Sequence, residues 1–441
     1  MRPDALKSGE PARLFPVLSE NSKEGRTLSI FLACLRLVPD FTSVLFASID
    51  QRVGSRSRLD CYTEVVFKSD DPSIKDRPDG LLVLDTGRTT WNCLIEAKVG
   101  RNELTAAQII KYCDIAKRNG LNAIVTISNQ FTPLPSHHPV PIGKRDQKGI
   151  LLFHWSWSFV LTQARLLLAN SGTLSELETT IISELISFLR HDSSGIRTFD
   201  RMNSEWKDVV ECVKNRQPLR KSDPAVENSV LSWNQEAQDL SLKLSDAIQT
   251  HVKIRISRGQ KQDPISRIKS GIDEISQTNA LSVSYDIPDA CSPLDVTANL
   301  LSRTIACCMK VKAPLEMKRA QTRLSWLVKQ LRSAPDDVQL KAIWPGGKRA
   351  TFCSLRDVKE ENYQIIEDSQ GIAPTGFEVS LVNELGSRFG GVSSFIAELE
   401  PFVIGFYESV GQNLQNWQPS APKVKETESD TSEEENGQQT L

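Results

Sequence analysis

The sequence contains no C-x-x-C pair, and its nine cysteines are scattered, so a zinc ribbon or a thioredoxin-like redox site has nothing to build on. Free thiols spread through apolar segments suit a reducing cytosol better than a disulfide framework. Charge of one sign is also lacking. Lys and Arg number 53 against 55 Asp and Glu, a net charge of −2, so any nucleic-acid contact must come from local patches. No run approaches 18 apolar residues, so no membrane-spanning helix is expected. The residues after Met1 lack the apolar core of a signal peptide. No G-x-x-x-x-G-K-[ST] string occurs, so no ATP motor of that kind is expected, and there is no internal repeat. These absences predict a cytoplasmic protein with no membrane partner.

What is present is a 441-residue chain, 39% hydrophobic and 24% charged, enough for two or three domains with real cores. After a polar start, Leu28, Phe31, Leu32 and Leu35 recur at helical spacing. The period then becomes strand-like. Segment 62–67 is β-branched and aromatic, 80–84 is a short apolar run closed by Asp85-Thr86-Gly87, and 91–99 alternates. In that last segment Trp91, Cys93, Ile95, Ala97 and Val99 share one face, and Asn92, Leu94, Glu96 and Lys98 share the other. Thr105 opens a helix whose buried stripe is Ile109, Tyr112, Cys113 and Ala116, with Gly120 as its left-handed cap. Strands are expected at 123–128 and 150–153. Helix, three strands, helix, strand is an α/β layer arrangement.

Beyond Trp157 the pattern is helical through 173–189 and 230–251, and a polar, basic stretch at 255–280 reads as a linker. A smaller α+β unit follows, with strands expected near 281–287, 301–311, 338–343 and 349–354 and helices at 315–332 and 391–416. From Lys425 onward six acidic residues face one lysine, a composition expected to be disordered. The expected divisions are an extension at 1–24, an α/β domain at 25–165, a helical connector at 166–275, an α+β domain of unassigned role at 276–420 and an acidic tail at 421–441.

The chemistry-bearing stretch is Pro78-Asp79-Gly80 followed by Glu96-Ala97-Lys98. Strand alternation puts Glu96 and Lys98 on one face, and a neighbouring strand beginning at Asp79 brings its carboxylate to ~5 Å across the ladder. Two hard oxygen ligands can hold Mg²⁺ or Mn²⁺ with positions left open for water and a phosphate oxygen. Such a cation offsets charge on a phosphoryl group, and a lysine beside it can orient or help deprotonate the attacking water.

These residues resemble the PD-(D/E)xK nuclease superfamily. Gln108-Ile-Ile-Lys-Tyr112 resembles the Q-x-x-x-Y motif of its RecB-like members. The resemblance covers about residues 25–155. It implies a restriction-endonuclease-like αβββαβ core and metal-dependent phosphodiester hydrolysis, in repair, phage defence or stress response. The implied substrate is nucleic acid, DNA ahead of RNA. Asp79 and Glu96 would bind the metal, Lys98 would handle the water, and Gln108 and Tyr112 would support the site. Members often supply a further acidic ligand, here Glu64, or Glu24 ahead of the first helix.

Each residue also has a plainer reading. Pro-Asp-Gly is a common turn, and Glu96 and Lys98 could line an exposed edge strand. Thr105-Ala-Ala-Gln108 spells a capping box, Tyr112 continues a core stripe, and Glu64 could face solvent. His137-His138 in a Pro-rich segment reads as loop. In the C-terminal half, 310–332 holds seven basic residues against Glu316, and Trp326 and Trp344 lie nearby. Lys318, Arg319 and Arg323 are therefore candidate substrate contacts, although a basic run is usually a solvated helix face. The rival from another class is a non-catalytic nucleic-acid-binding or interaction protein.

Overall fold

The computed structural model describes residues 4–16, 22–68, 77–367 and 371–418. The expected acidic tail at 421–441 lies outside these residues. Thirteen strands form two sheets, and each sheet follows from a distinct hydrophobic pattern.

The first sheet has the spatial order β1 (Leu6–Pro11), β2 (Arg58–Phe67), β3 (Gly80–Asp85), β4 (Thr90–Ala97), β5 (Ala123–Ser128) and β6 (Leu151–Ser156). β1 to β4 pair antiparallel, and β4–β5 and β5–β6 pair parallel. Helices α1 (Lys23–Leu37) and α2 (Pro39–Ala47) cover one face, and α3 (Ala106–Arg118) covers the other. The expected order of helix, three strands, helix, strand is present. Both faces of β3, β4 and β5 are buried, so these strands read as nearly continuous apolar runs.

Two boundaries differ from the expectation. Residues 6–11, inside the expected extension, are an edge strand, because β2 would otherwise present an open ladder. The first unit also runs past 165. The Glu176–Arg190 helix turns Ile182, Leu185 and Leu189 into the same core as α1 and α2.

The second sheet is antiparallel and runs β12 (Thr351–Ser354), β11 (Gln339–Ile343), β13 (Gly376–Glu384), β10 (Thr304–Lys312), β9 (Leu294–Asn299), β8 (Ala280–Asp286) and β7 (Lys253–Ile254). The Trp206–Lys214, Pro224–Ile248 and Val392–Ser409 helices share its core. The expected connector is therefore split between two cores. The expected linker at 255–280 is mostly the helix Pro264–Thr278. Its polar composition belongs to the solvent side, and Ile268, Ile272 and Ile275 form the stripe that packs inward. β9 and β13 were not anticipated. The Phe377, Val379, Leu381 alternation was the signal for β13, whereas Pro293, Asp295 and Asn299 obscure β9.

No single described helix is long and apolar enough to cross a membrane. The bent pair α1–α2 is apolar because most of it is core.

Candidate active site

Asp79 stands immediately before β3, and its side chain shares the parity of Leu81 and Val83. Glu96 shares the parity of Leu94 on the adjacent strand, and both sets face α3. Gly80 makes this approach possible. A Cβ there would lie 2.9 Å from the Tyr62 carbonyl and 3.3 Å from Leu32 Cδ1.

The Ala97 N–H donates to Asp79 Oδ2 at 2.8 Å, which pins the first carboxylate to the strand carrying the second. Glu96 is 1% exposed. Its Oε1 accepts from Lys98 Nζ at 2.6 Å and from Gln108 Nε2 at 2.6 Å. Gln108 Nε2 also donates to Tyr112 Oη at 3.1 Å, and Tyr112 donates to the Arg77 carbonyl at 3.1 Å. The Thr105 side chain does cap α3 by accepting from the Gln108 N–H. The glutamine side chain, however, leaves that cap and joins the carboxylate. All five expected core and supporting residues therefore belong to one cluster.

Burial sets the electrostatics. Asp79 is pushed up to about 8 by desolvation and by the Glu96 charge, against the Ala97 N–H and the Lys98 ammonium. Burial works against the Lys98 ammonium, but Glu96, Asp79 and Glu24 outweigh it and hold its pKa above the ordinary value. Tyr112 is raised by burial and by Glu96 and stays a phenol.

The acidic neighbour is Glu24. From the first turn of α1, its Oε2 lies 3.7 Å from Lys98 Nζ, and its Oε1 accepts from Asn102 Nδ2 at 2.8 Å. Glu64, the favoured third ligand, does not converge. A bulge where β1 pairs with β2 puts Glu64 at φ 52°, and the residue is exposed. The bulge reverses the alternation, so Tyr62 and Val65 both face α3 and Glu64 turns to solvent.

Further contacts hold the end of β4 in place. The Lys98 N–H donates to the Ile127 carbonyl at 2.8 Å and Trp157 Nε1 donates to the Lys98 carbonyl at 2.9 Å. The Gly100 N–H donates to the Gly195 carbonyl at 2.7 Å.

The donor set suits a hard cation. Glu96 Oε2 is buried without a hydrogen-bond partner, and a buried carboxylate oxygen without a partner is costly unless a cation or proton meets it. Asp79 and Glu96 are the residues that would hold Mg²⁺ or Mn²⁺. Among the described residues, three carboxylates come within 4.8 Å of one another only at Glu236, Asp239 and Glu400, so the centre at Asp79 is a two-carboxylate one.

The other candidates are placed apart. Arg323 is 6% exposed, and its guanidinium donates to the Met317, Pro374 and Leu315 carbonyls at 2.6, 2.7 and 3.1 Å. It braces a loop and is buried away from the surface that a phosphate would approach. Lys318 and Arg319 are exposed. His138 bonds Thr126 beside His154, and His137 bonds the Lys261 carbonyl. These histidines join elements and are not a ligand set.

Sequence reasoning missed a group of arginines that folding gathers in one cleft. A cleft of about 770 Å³ between the two units is lined by Arg101, Arg165, Arg190 and Arg197, among others. Arg101, Arg190 and Arg197 form no ion pair among the described residues. They are dispersed in sequence, so no local charge run announces them. Comparison with known protein families, with curated proteins and with solved structures finds no match for this chain.

Proposed function

We propose that this chain is a divalent-metal-dependent nuclease that hydrolyses phosphodiester bonds at Asp79, Glu96 and Lys98, with DNA as its substrate. The observation that carries the reading is the cluster itself. Glu96, Lys98, Gln108 and Tyr112 share a hydrogen-bonded network, the Ala97 N–H pins the Asp79 carboxyl beside it, and one buried Glu96 oxygen is left without a partner. The order of elements around it supports the resemblance to the PD-(D/E)xK superfamily and its restriction-endonuclease-like core. Nine free cysteines fit a cytoplasmic setting.

When bound, the cation would supply Lewis-acid stabilisation of charge on the phosphoryl group. The residues supply the rest. Asp79 and Glu96 hold the cation at the end of the sheet. Gln108, held by Tyr112, fixes the Glu96 carboxylate through Oε1 and leaves Oε2 without a protein partner. Lys98 is held as an ammonium by the acids around it. As an ammonium it can act as a donor that orients water and meets a phosphate oxygen. The arginines of the cleft offer a path for the rest of the phosphate backbone.

The test is cleavage of single-stranded DNA, double-stranded DNA and RNA by the purified chain with Mg²⁺ or Mn²⁺. The expected result is metal-dependent DNA cleavage that Asp79→Asn abolishes. Salt-dependent binding without cleavage would transfer the chain to the rival class of non-catalytic binding proteins, and cleavage confined to RNA would change the substrate.

A further inference from the structure

A second group of acids lies in the other unit, unconnected with the centre at Asp79. Glu236 and Asp239 stand three positions apart on the Pro224–Ile248 helix, so they share one face. Lys243 follows four positions later, and Glu400 comes from the facing Val392–Ser409 helix. One oxygen from each of the three carboxylates lies within 4.8 Å of the others.

Lys243 does not complete this group. Its Nζ lies 2.7 Å from Asp239 Oδ2 and 2.5 Å from Glu400 Oε1. Glu236 is 0% exposed, and neither of its carboxylate oxygens has a hydrogen-bond partner. Fully ionised, three carboxylates and one ammonium leave two negative charges; burial and the Glu400 and Asp239 charges push the Glu236 carboxyl well above its ordinary value, so without metal it holds a proton that a cation would displace. A buried carboxylate without a partner is costly, so Glu236 takes up either a proton or a cation.

We propose that Glu236, Asp239 and Glu400 form a second, independent site for a hard divalent cation, reached from the cleft between the two units. The donor set is oxygen only, which selects Mg²⁺, Mn²⁺ or Ca²⁺ over softer metals. Such ions hold oxygens at ~2.0–2.6 Å, so any two ligands lie at most about 4–5 Å apart, and the observed spacing meets that limit. A divalent ion cancels the two residual charges. An i, i+3 pair of ligands on one helix and another from a facing helix is an arrangement that helical metal centres use. Asp239 and Lys243 line the cleft, which gives the ion a route from solvent. Bound there, the ion ties the Pro224–Ile248 helix to the Val392–Ser409 helix.

The experiment measures Mn²⁺ binding to the full chain after chelator treatment, by electron paramagnetic resonance titration. Wild type is compared with Glu236→Gln, Glu400→Gln and the Asp79→Asn, Glu96→Gln double variant. The double variant is expected to keep one Mn²⁺ per chain. Glu236→Gln and Glu400→Gln are each expected to weaken that ion at least tenfold while keeping the one at Asp79. Glutamine at 236 stands in for the protonated acid, so without metal its Tm is expected to equal or exceed that of wild type, and added Mn²⁺ should raise only the wild-type Tm at this site. A double variant that binds no Mn²⁺, or Glu236→Gln and Glu400→Gln variants that bind as many ions as wild type, would overturn the proposal. Loss of an ion in the double variant bears on the nuclease centre alone, so the two readings fail separately.

Discussion

Lys98 reaches the centre from the residue after β4, with its ammonium 2.6 Å from Glu96 and 3.7 Å from Glu24. Under the proposed function, removing it leaves the two carboxylates in place but takes away the donor proposed to orient water. Groups in such roles contribute ~10²–10⁴-fold in rate, so Lys98→Ala should lose about that much cleavage. Binding of DNA, measured by fluorescence anisotropy, should be little changed, and a variant that cleaves as fast as wild type would make Lys98 purely structural. Asp79 yields a pH prediction. Its carboxyl is raised from 3.8 to about 8 in the folded chain, so the folded state alone holds that proton across the window. This contribution to stability is complete below the unfolded value and is lost as pH rises through the folded one. A cation must displace the proton, so the Tm gain from Mg²⁺ should grow between about pH 6 and about pH 8.5. Measured in the Glu236→Gln background, a gain that is flat or falls with pH would remove Asp79 from the ligand set.

At the scale of elements, β3 and β4 carry the site because both are buried on both faces, and such strands are recognisable from unbroken apolar runs. Glu96 and Lys98 were legible in the alternation of β4, and Gln108 and Tyr112 in their spacing on α3. Glu64 was not, since a bulge overturns the parity from which a strand residue's face is read, and nothing in the string Tyr62-Thr63-Glu64-Val65 marks it. Glu24, named only as the alternative to Glu64, could not be ranked above it from the sequence. It enters through the packing of α1 against the end of β4, a contact across 75 positions that local pattern cannot supply. The approach of Asp79 also depends on the missing side chain at Gly80. A methyl group there meets backbone at 2.9 Å, and backbone cannot move aside as a rotamer can. Gly80→Ala should therefore cost roughly 1–3 kcal/mol in a urea melt and should displace Asp79 enough to lower cleavage further than the stability loss explains. Unchanged stability would show that β2 and β3 have slack at this position.

For the whole molecule, a net charge of −2 gives no sign of how the arginines are distributed. The arginines of the cleft come from Arg101 just past β4, from the helices Trp157–Asn170 and Glu176–Arg190, and from the segment after them. Folding collects what the sequence disperses, while the conspicuous basic run near 310–332 contains the buried Arg323, each of whose three guanidinium nitrogens donates to a backbone carbonyl. Arg101→Ala with Arg197→Ala should weaken DNA binding and reduce the slope of log K against log salt by about 1 per residue. A slope that does not change would take the cleft off the nucleic-acid path. The anchoring of Lys98 and Gly100 has a practical consequence. The carbonyl that receives the Gly100 N–H belongs to Gly195, and Thr27 on α1 donates to its neighbour Ser194 at 3.0 Å. A recombinant fragment stopped at residue 165 would lack these acceptors and the apolar face of the Glu176–Arg190 helix. Such a piece should be prone to proteolysis and give a broad melt, whereas one ending after residue 200 should express as a cooperative unit. The excisable module is thus longer than its motif.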